Sequence, residues 1–183
     1  MTRVNVPGVI AGLLTITLPF LGAWWHLTLG TDALVVSAAP FEVVTSIFGE
    51  KMTSPLFWWF CLGLKLGVIY VGVVLLAGSV LIASDDHTAI ADELIRFGST
   101  KLMYLIIMFV AALLIAITLA NQSSGLVPFR INLPYLIGSD VISASAEGAR
   151  ITIPIGMKLT WAFGAAVLAA MLGIVARVYQ KKM

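Results

Sequence analysis

Apolar positions in this chain fall into four long stretches, roughly Gly8–His26, Cys61–Ala83, Leu102–Ala120 and Gly156–Ala176. Each holds about 19 residues or more. At about 1.5 Å of rise per residue, a helix of ~20 crosses the ~30 Å hydrocarbon core of a bilayer. The pattern predicts one mainly α integral membrane domain over 1–183, with transmembrane helices at about 8–26, 61–83, 102–120 and 156–176. The first stretch exceeds the roughly 7–15-residue apolar core of a cleaved leader and is read as a retained span. Pro19 is expected to kink its outer third.

Between the spans the period shifts to two. An even number of spans places the connections 27–60 and 121–155 on one face. Each is too long to be a structureless loop in a compact protein. Phe41, Val43, Thr45 and Ile47 alternate with Glu42, Val44 and Ser46, and Ala33–Ser37 is a short β-prone run. Phe129, Ile131, Leu133 and Tyr135 alternate with Arg130, Asn132 and Pro134, and Ile151, Ile153 and Ile155 with Arg150, Thr152 and Pro154. Val141–Ser145 is a weaker strand; Gly138–Asp140 and Glu147-Gly148 carry turn chemistry. Three or more strands with an apolar face are needed for a stable sheet. The two outer loops are therefore expected to share one extracellular antiparallel β-sheet of four or five strands. Pro134 and Pro154 assign their strands to its edges. Two separate flaps in the interface are the alternative.

The inner connection begins Ser84-Asp85-Asp86, which suits a helix cap. Ile90, Leu94 and Phe97 follow at helical spacing. This predicts a short amphipathic elbow that Gly98 ends.

Composition narrows the picture. The chain is 60% hydrophobic and 11% charged, against about 25% charged in soluble domains. A net charge of +2, scattered along the chain, gives no basis for binding nucleic acid. Arg3, Arg177, Lys181 and Lys182 flank the ends of the chain. The positive-inside rule then puts both termini in the cytoplasm of a multi-pass plasma-membrane protein. Trp24, Trp25, Trp58, Trp59 and Trp161 fall near the outer span ends and are expected as interfacial anchors.

Helices in lipid associate through small residues four apart. Gly63 and Gly67, with Gly72 and Gly78 beyond, and Ala162, Ala166, Ala170 and Gly173 are the candidate packing rows. Lys65 and Lys158 lie near the outer ends of their spans. Three roles are open to them: snorkelling to headgroups, an ion pair with Glu42, Glu50, Asp140 or Glu147, or handling of a substrate or ion.

Little else suggests chemistry. Cys61 is the single cysteine, so no intrachain disulfide can form. His26 and His87 belong to opposite ends of the bundle and cannot share a metal or haem. The spans carry no acidic residue, and no phosphate loop or nucleophile motif occurs. No catalytic residue and no cofactor is expected.

Four spans, cytoplasmic ends and a sheet drawn from both outer loops resemble the claudin and peripheral-myelin-type tetraspan class. Trp24-Trp25 is similar to the tryptophan of that family's first loop. The Trp-Gly-Leu-Trp-Cys-Cys signature is absent, and Cys61 alone cannot make the family's loop disulfide. The resemblance implies a topology and no residue roles.

The leading expectation is a non-enzymatic structural or assembly protein, whose sheet and small-residue helix faces engage other membrane subunits or further copies. An accessory subunit of a larger respiratory or oxygenase-like enzyme complex is the alternative. A small channel or carrier ranks third.

Overall fold

The computed structural model describes residues 4–52, 55–83, 87–123, 133–146 and 149–180. The chain begins with helix α1, Val6–Thr17, and one 3-10 turn, Leu18–Phe20. Strands β1 (Trp25–Leu29), β2 (Leu34–Ala39), β3 (Glu42–Ile47) and β4 (Glu50–Met52) follow. Helices α2 (Pro55–Leu81) and α3 (Thr88–Ser123) come next, then β5 (Gly138–Ala146), β6 (Ala149–Leu159) and α4 (Trp161–Gln180). Three helical segments, Phe57–Leu81, Thr88–Gln122 and Trp161–Gln180, are long and apolar enough to cross a membrane.

The first apolar stretch does not form a helix of membrane-spanning length. At 12 residues, α1 is about 18 Å long. Pro19 has no N–H to continue the α ladder, so the chain tightens into the 3-10 turn. Gly22, at φ +87°, then swings it toward β1. Residues 25–26, expected in the span, are strand. The last stretch is corrected similarly: 156–159 belong to β6, and α4 starts at Trp161. No elbow separates 88–97 from the third span, because α3 runs unbroken for 36 residues, about 54 Å. Gly98 lies inside it, where an added Cβ would sit 2.9 Å from Leu75 Cβ. That glycine permits close approach and terminates nothing.

The sheet has six antiparallel strands in the order β4-β3-β2-β1-β6-β5, so both long connections contribute to it. The join is β1 on β6, with Trp25 opposite Leu159 and Leu29 opposite Ile155. Two-residue loops close the β2–β3 and β3–β4 hairpins. Phe48 and Gly49 both have positive φ, which matches the strand twist in such a tight turn.

Three strand expectations change. Pro154 is not on an edge strand: β6 lies between β1 and β5. Gly30 N donates to the Pro154 carbonyl at 2.8 Å, so that residue's polar edge faces the point where β1 turns away. The missing N–H therefore interrupts no rung. Gly138–Asp140 starts β5 instead of making a turn. In the expected strand 129–135, Leu133 and Pro134 are coil and Tyr135 is in a bend; 129–132 lie outside the described residues, as do Ser84–Asp86 and Glu147-Gly148.

The sheet sits on the helices through one apolar core. Trp24 is fully buried and meets Phe41, Phe109 and Phe163 edge to face, with centroids 5.3–6.0 Å apart. Aromatic pairs of this geometry contribute about 0.5–1.5 kcal/mol beyond their buried area. Leu18, Leu113, Ile117, Ile155 and Met157 complete this layer. Thr160 Oγ1 donates to the Ala23 carbonyl at 2.6 Å, pinning the start of α4 beside the start of β1.

The other end of the bundle closes on small residues. Gly12 and Gly72 face each other: an added Cβ at either would lie 3.0 Å from the other's carbonyl oxygen. Asn5, fully buried, accepts from Gly8 N at 3.1 Å and donates to the Ala176 carbonyl at 2.9 Å. Its own N–H reaches the Ser79 carbonyl at 3.2 Å. One side chain and its backbone thus tie α1 to α2 and α4, with its hydrogen bonds made inside the protein, as a buried amide requires.

Candidate functional site

The residues singled out in the sequence divide into packed and open sets. Ala162, Ala166, Ala170 and Gly173 are buried, and Gly173 approaches Ser99 of α3. Gly63 and Gly67 are exposed, with nothing within 4 Å of an added Cβ. The close contacts of α2 fall at Gly72 and Gly78 instead, against α1 and α3. On α1, Gly12 meets Gly72 and Leu76, and Gly8 meets Ser79 and Ala176, a Gly-x-x-x-Gly spacing that is visible in the sequence.

The tryptophans divide too. Trp58, Trp59 and Trp161 are exposed at the sheet-side ends of α2 and α4, in keeping with an interfacial position. Trp24 and Trp25 are buried and are core residues, not anchors. Trp24 packs between the sheet and the helices, and Trp25 belongs to β1 itself, its Nε1 donating to the Leu136 carbonyl at 2.8 Å.

Lys65 sits on α2 with its ammonium 4.0 Å from a Glu42 carboxylate oxygen of β3. Both side chains remain substantially exposed, so the pair contributes at most about 1 kcal/mol. Lys158 is not within a membrane helix. It lies on β6 opposite His26 of β1, and His26 Nδ1 is 2.8 Å from Ser37 Oγ on β2. Burial first, and the Lys158 ammonium second, hold the His26 imidazole below its ordinary pKa.

His26, Ser37, Glu42, Ser46 and Lys51 line a cavity of about 430 Å³ on the outward face of the sheet. Its charges are mixed in sign, and it holds no triad of base, nucleophile and orienting acid. Among the described residues no group of three His, Cys, Asp or Glu side chains could hold a metal ion. Cys61 is buried and unpaired with another cysteine, in an aromatic groove beside Phe41, Phe57 and Trp58.

Apolar side chains instead mark the two ends of the sheet. At the β4 end, Phe48 is 84% exposed and Met52 59%. Phe48 holds φ +49°, a conformation that favours Gly, Asn or Asp, at the tip of its hairpin. At the β5 end, Tyr135, Ile137 and Val141 are all more than half exposed. The two edges differ in their strands. β4 is three residues long and carries Glu50 and Lys51, features that discourage pairing. β5 is nine residues long with one charge, Asp140. Asp140 accepts from the Val141 N–H at 2.7 Å, and strand alternation then aims the Ser143 and Ser145 N–H groups away from β6. No protein-family model, curated protein or solved structure matches this chain.

Proposed function

We propose that this chain is a non-enzymatic membrane assembly protein that associates through the ends of its β-sheet. The observation that carries the reading is β5: a long, lightly charged strand that is the sheet's edge among the described residues, flanked by exposed Tyr135, Ile137 and Val141. Such an edge is a template for strand addition by another chain. The apolar β4 tip at the far end offers a second, different patch. Two unlike patches on one subunit favour head-to-tail contacts with like copies or other membrane subunits.

In this reading the chain lies in the plasma membrane with both termini cytoplasmic and the sheet outside. α1 and its 3-10 turn make the fourth crossing beside the three long helices, giving the claudin-like tetraspan layout. An accessory role in a larger membrane enzyme follows if the strand added to β5 belongs to a cofactor-bearing subunit.

The test is the mass of the full chain extracted in a mild detergent. An oligomer or a retained partner is expected. Ser143→Pro, which removes an outward N–H while leaving the β5–β6 ladder intact, should dissolve it, and Phe48→Asp should weaken it. A lone wild-type monomer, or an assembly indifferent to both substitutions, would overturn the proposal. A co-purifying haem or copper protein would identify the accessory role.

A further inference from the structure

The helix ends remote from the sheet carry a second feature, independent of the assembly reading. A groove of about 550 Å³ is lined by Arg96, Phe97 and Lys101 of α3, Tyr70 of α2 and Arg177 of α4, with Glu93 as its one acid. None of the three cations lies within 4.0 Å of a carboxylate among the described residues. The Lys101 ammonium instead sits 5.6 Å over the Phe97 ring. Three positive charges therefore converge, and among the described residues no carboxylate is in salt-bridge contact with them.

Their depth is informative. Lys101 immediately precedes the apolar run 102–120 of α3, which is about 28 Å long as a helix. From exposed Trp161 to Arg177 along α4 is about 24 Å. Arg96 and Arg177 thus lie roughly one hydrocarbon thickness from the sheet-side tryptophans, at the level of the opposite headgroups, and Lys101 lies about 7 Å deeper along α3, next to the turn where Ser99 meets Gly173.

Lys101 also lines a second groove, of about 210 Å³, which is otherwise apolar and runs between α2 and α3. Gly63 and Gly67 leave it open, and Val68, Val71 and Leu105 wall it. The cationic basin thus adjoins an apolar furrow that runs toward the bilayer centre, with Lys101 lining both.

We propose that this composite groove is a binding site for an anionic membrane phospholipid. Arg96, Lys101 and Arg177 hold the phosphate, and one acyl chain lies along Gly67 and Gly63. Free phosphate would use the basin alone and leave the furrow without a purpose. The pairing of the two grooves through Lys101 therefore favours the lipid.

The experiment uses the full chain in neutral detergent and native mass spectrometry. The probes are phosphatidylglycerol, phosphatidylcholine and inorganic phosphate. Wild type should retain phosphatidylglycerol over phosphatidylcholine. Each cation near an anionic headgroup changes affinity roughly five-fold, so the combined Arg96→Gln, Lys101→Gln and Arg177→Gln variant should bind it on the order of 100-fold more weakly. Lys51→Gln with Lys158→Gln, which removes charge from the sheet, should leave binding unchanged. Gly67→Leu fills the furrow at an exposed position and should weaken the lipid without affecting phosphate. Equal retention of the two lipids, or equal loss in the sheet variant, would overturn the site. Phosphate competing fully at millimolar concentration, with Gly67→Leu silent, would overturn the lipid as its occupant.

Discussion

Helix α2 carries the same residue type in two settings. Toward the sheet, Gly63 and Gly67 face open space, whereas toward the opposite end Gly72 and Gly78 are pressed against α1 and α3. The difference follows from the face each pair occupies. Gly72 meets α1 and Gly78 meets α3, whereas Gly63 and Gly67 lie away from the α1 face, on a furrow where Leu102 and Leu105 of α3 stand off from α2. At the sheet end the bundle is held apart and filled by an aromatic wedge, Trp24 with Phe41, Phe109 and Phe163. At the other end it closes backbone to backbone. A small-residue row in a membrane helix therefore indicates where close approach is possible; the neighbouring elements decide whether it happens.

The contrast can be broken from its largest effect downward. Trp24→Ala removes the wedge and should cost about 3–5 kcal/mol, read as loss of stability to denaturant in mixed micelles. Gly72→Val forces side-chain atoms into the α1 backbone, where an added Cβ already lies 2.8 Å from Ile16 N. The expected cost is about 1–3 kcal/mol or more. Gly63→Ala with Gly67→Ala should cost nothing and, through helix propensity, stabilise by up to about 1 kcal/mol each, since nothing is displaced. A cost equal to that of Gly72→Val would erase the distinction between the two halves.

The smallest effect lies in the sheet. Unfolded His26 takes up a proton near pH 6.5, while the folded imidazole resists it because of burial and Lys158. The unfolded state binds more protons in that window. Stability should therefore be fully present above about pH 6.5 and decline as the pH falls below it. His26→Asn should flatten that limb of the profile in a pH series of denaturation midpoints.

Periodicity made much of this fold legible. The alternation at 41–47 and 151–155 became β3 and the middle of β6, and the run at 33–37 became most of β2. The three long helices follow from apolar length alone. What periodicity misjudged were boundaries where a strand directly abuts an apolar helical run. Trp25–His26 and Gly156–Leu159 sit at the ends of such runs, and the β1–β6 ladder recruits both. That pairing spans more than 120 residues of sequence, so no local pattern reveals it. Gly98 read as a stop because glycine is a poor helix former, but tertiary contact with Leu75 outweighs that preference.

The surfaces were less legible. Trp24 and Trp25 carry the composition of an interfacial anchor, and only the sheet makes them core. Asn5 gave no signal, since its role depends on the Ala176 and Ser79 carbonyls of two distant helices. In the sequence Arg177 counts only as a charge that orients the chain, and no local pattern links it to Arg96 or Lys101. Their convergence depends on α3 continuing unbroken past Gly98.

The joining of both long connections in one sheet underlies the fold and the proposed assembly role, and a paired-cysteine measurement tests it most directly. In a Cys61→Ser background, His26→Cys and Lys158→Cys place two thiols directly opposite on β1 and β6. Opposed residues on neighbouring antiparallel strands lie within disulfide reach. Mild oxidation of the full chain in membranes should cross-link this pair efficiently, and His26→Cys with Val141→Cys not at all. Efficient bonding of the second pair, or none of the first, would contradict the shared sheet.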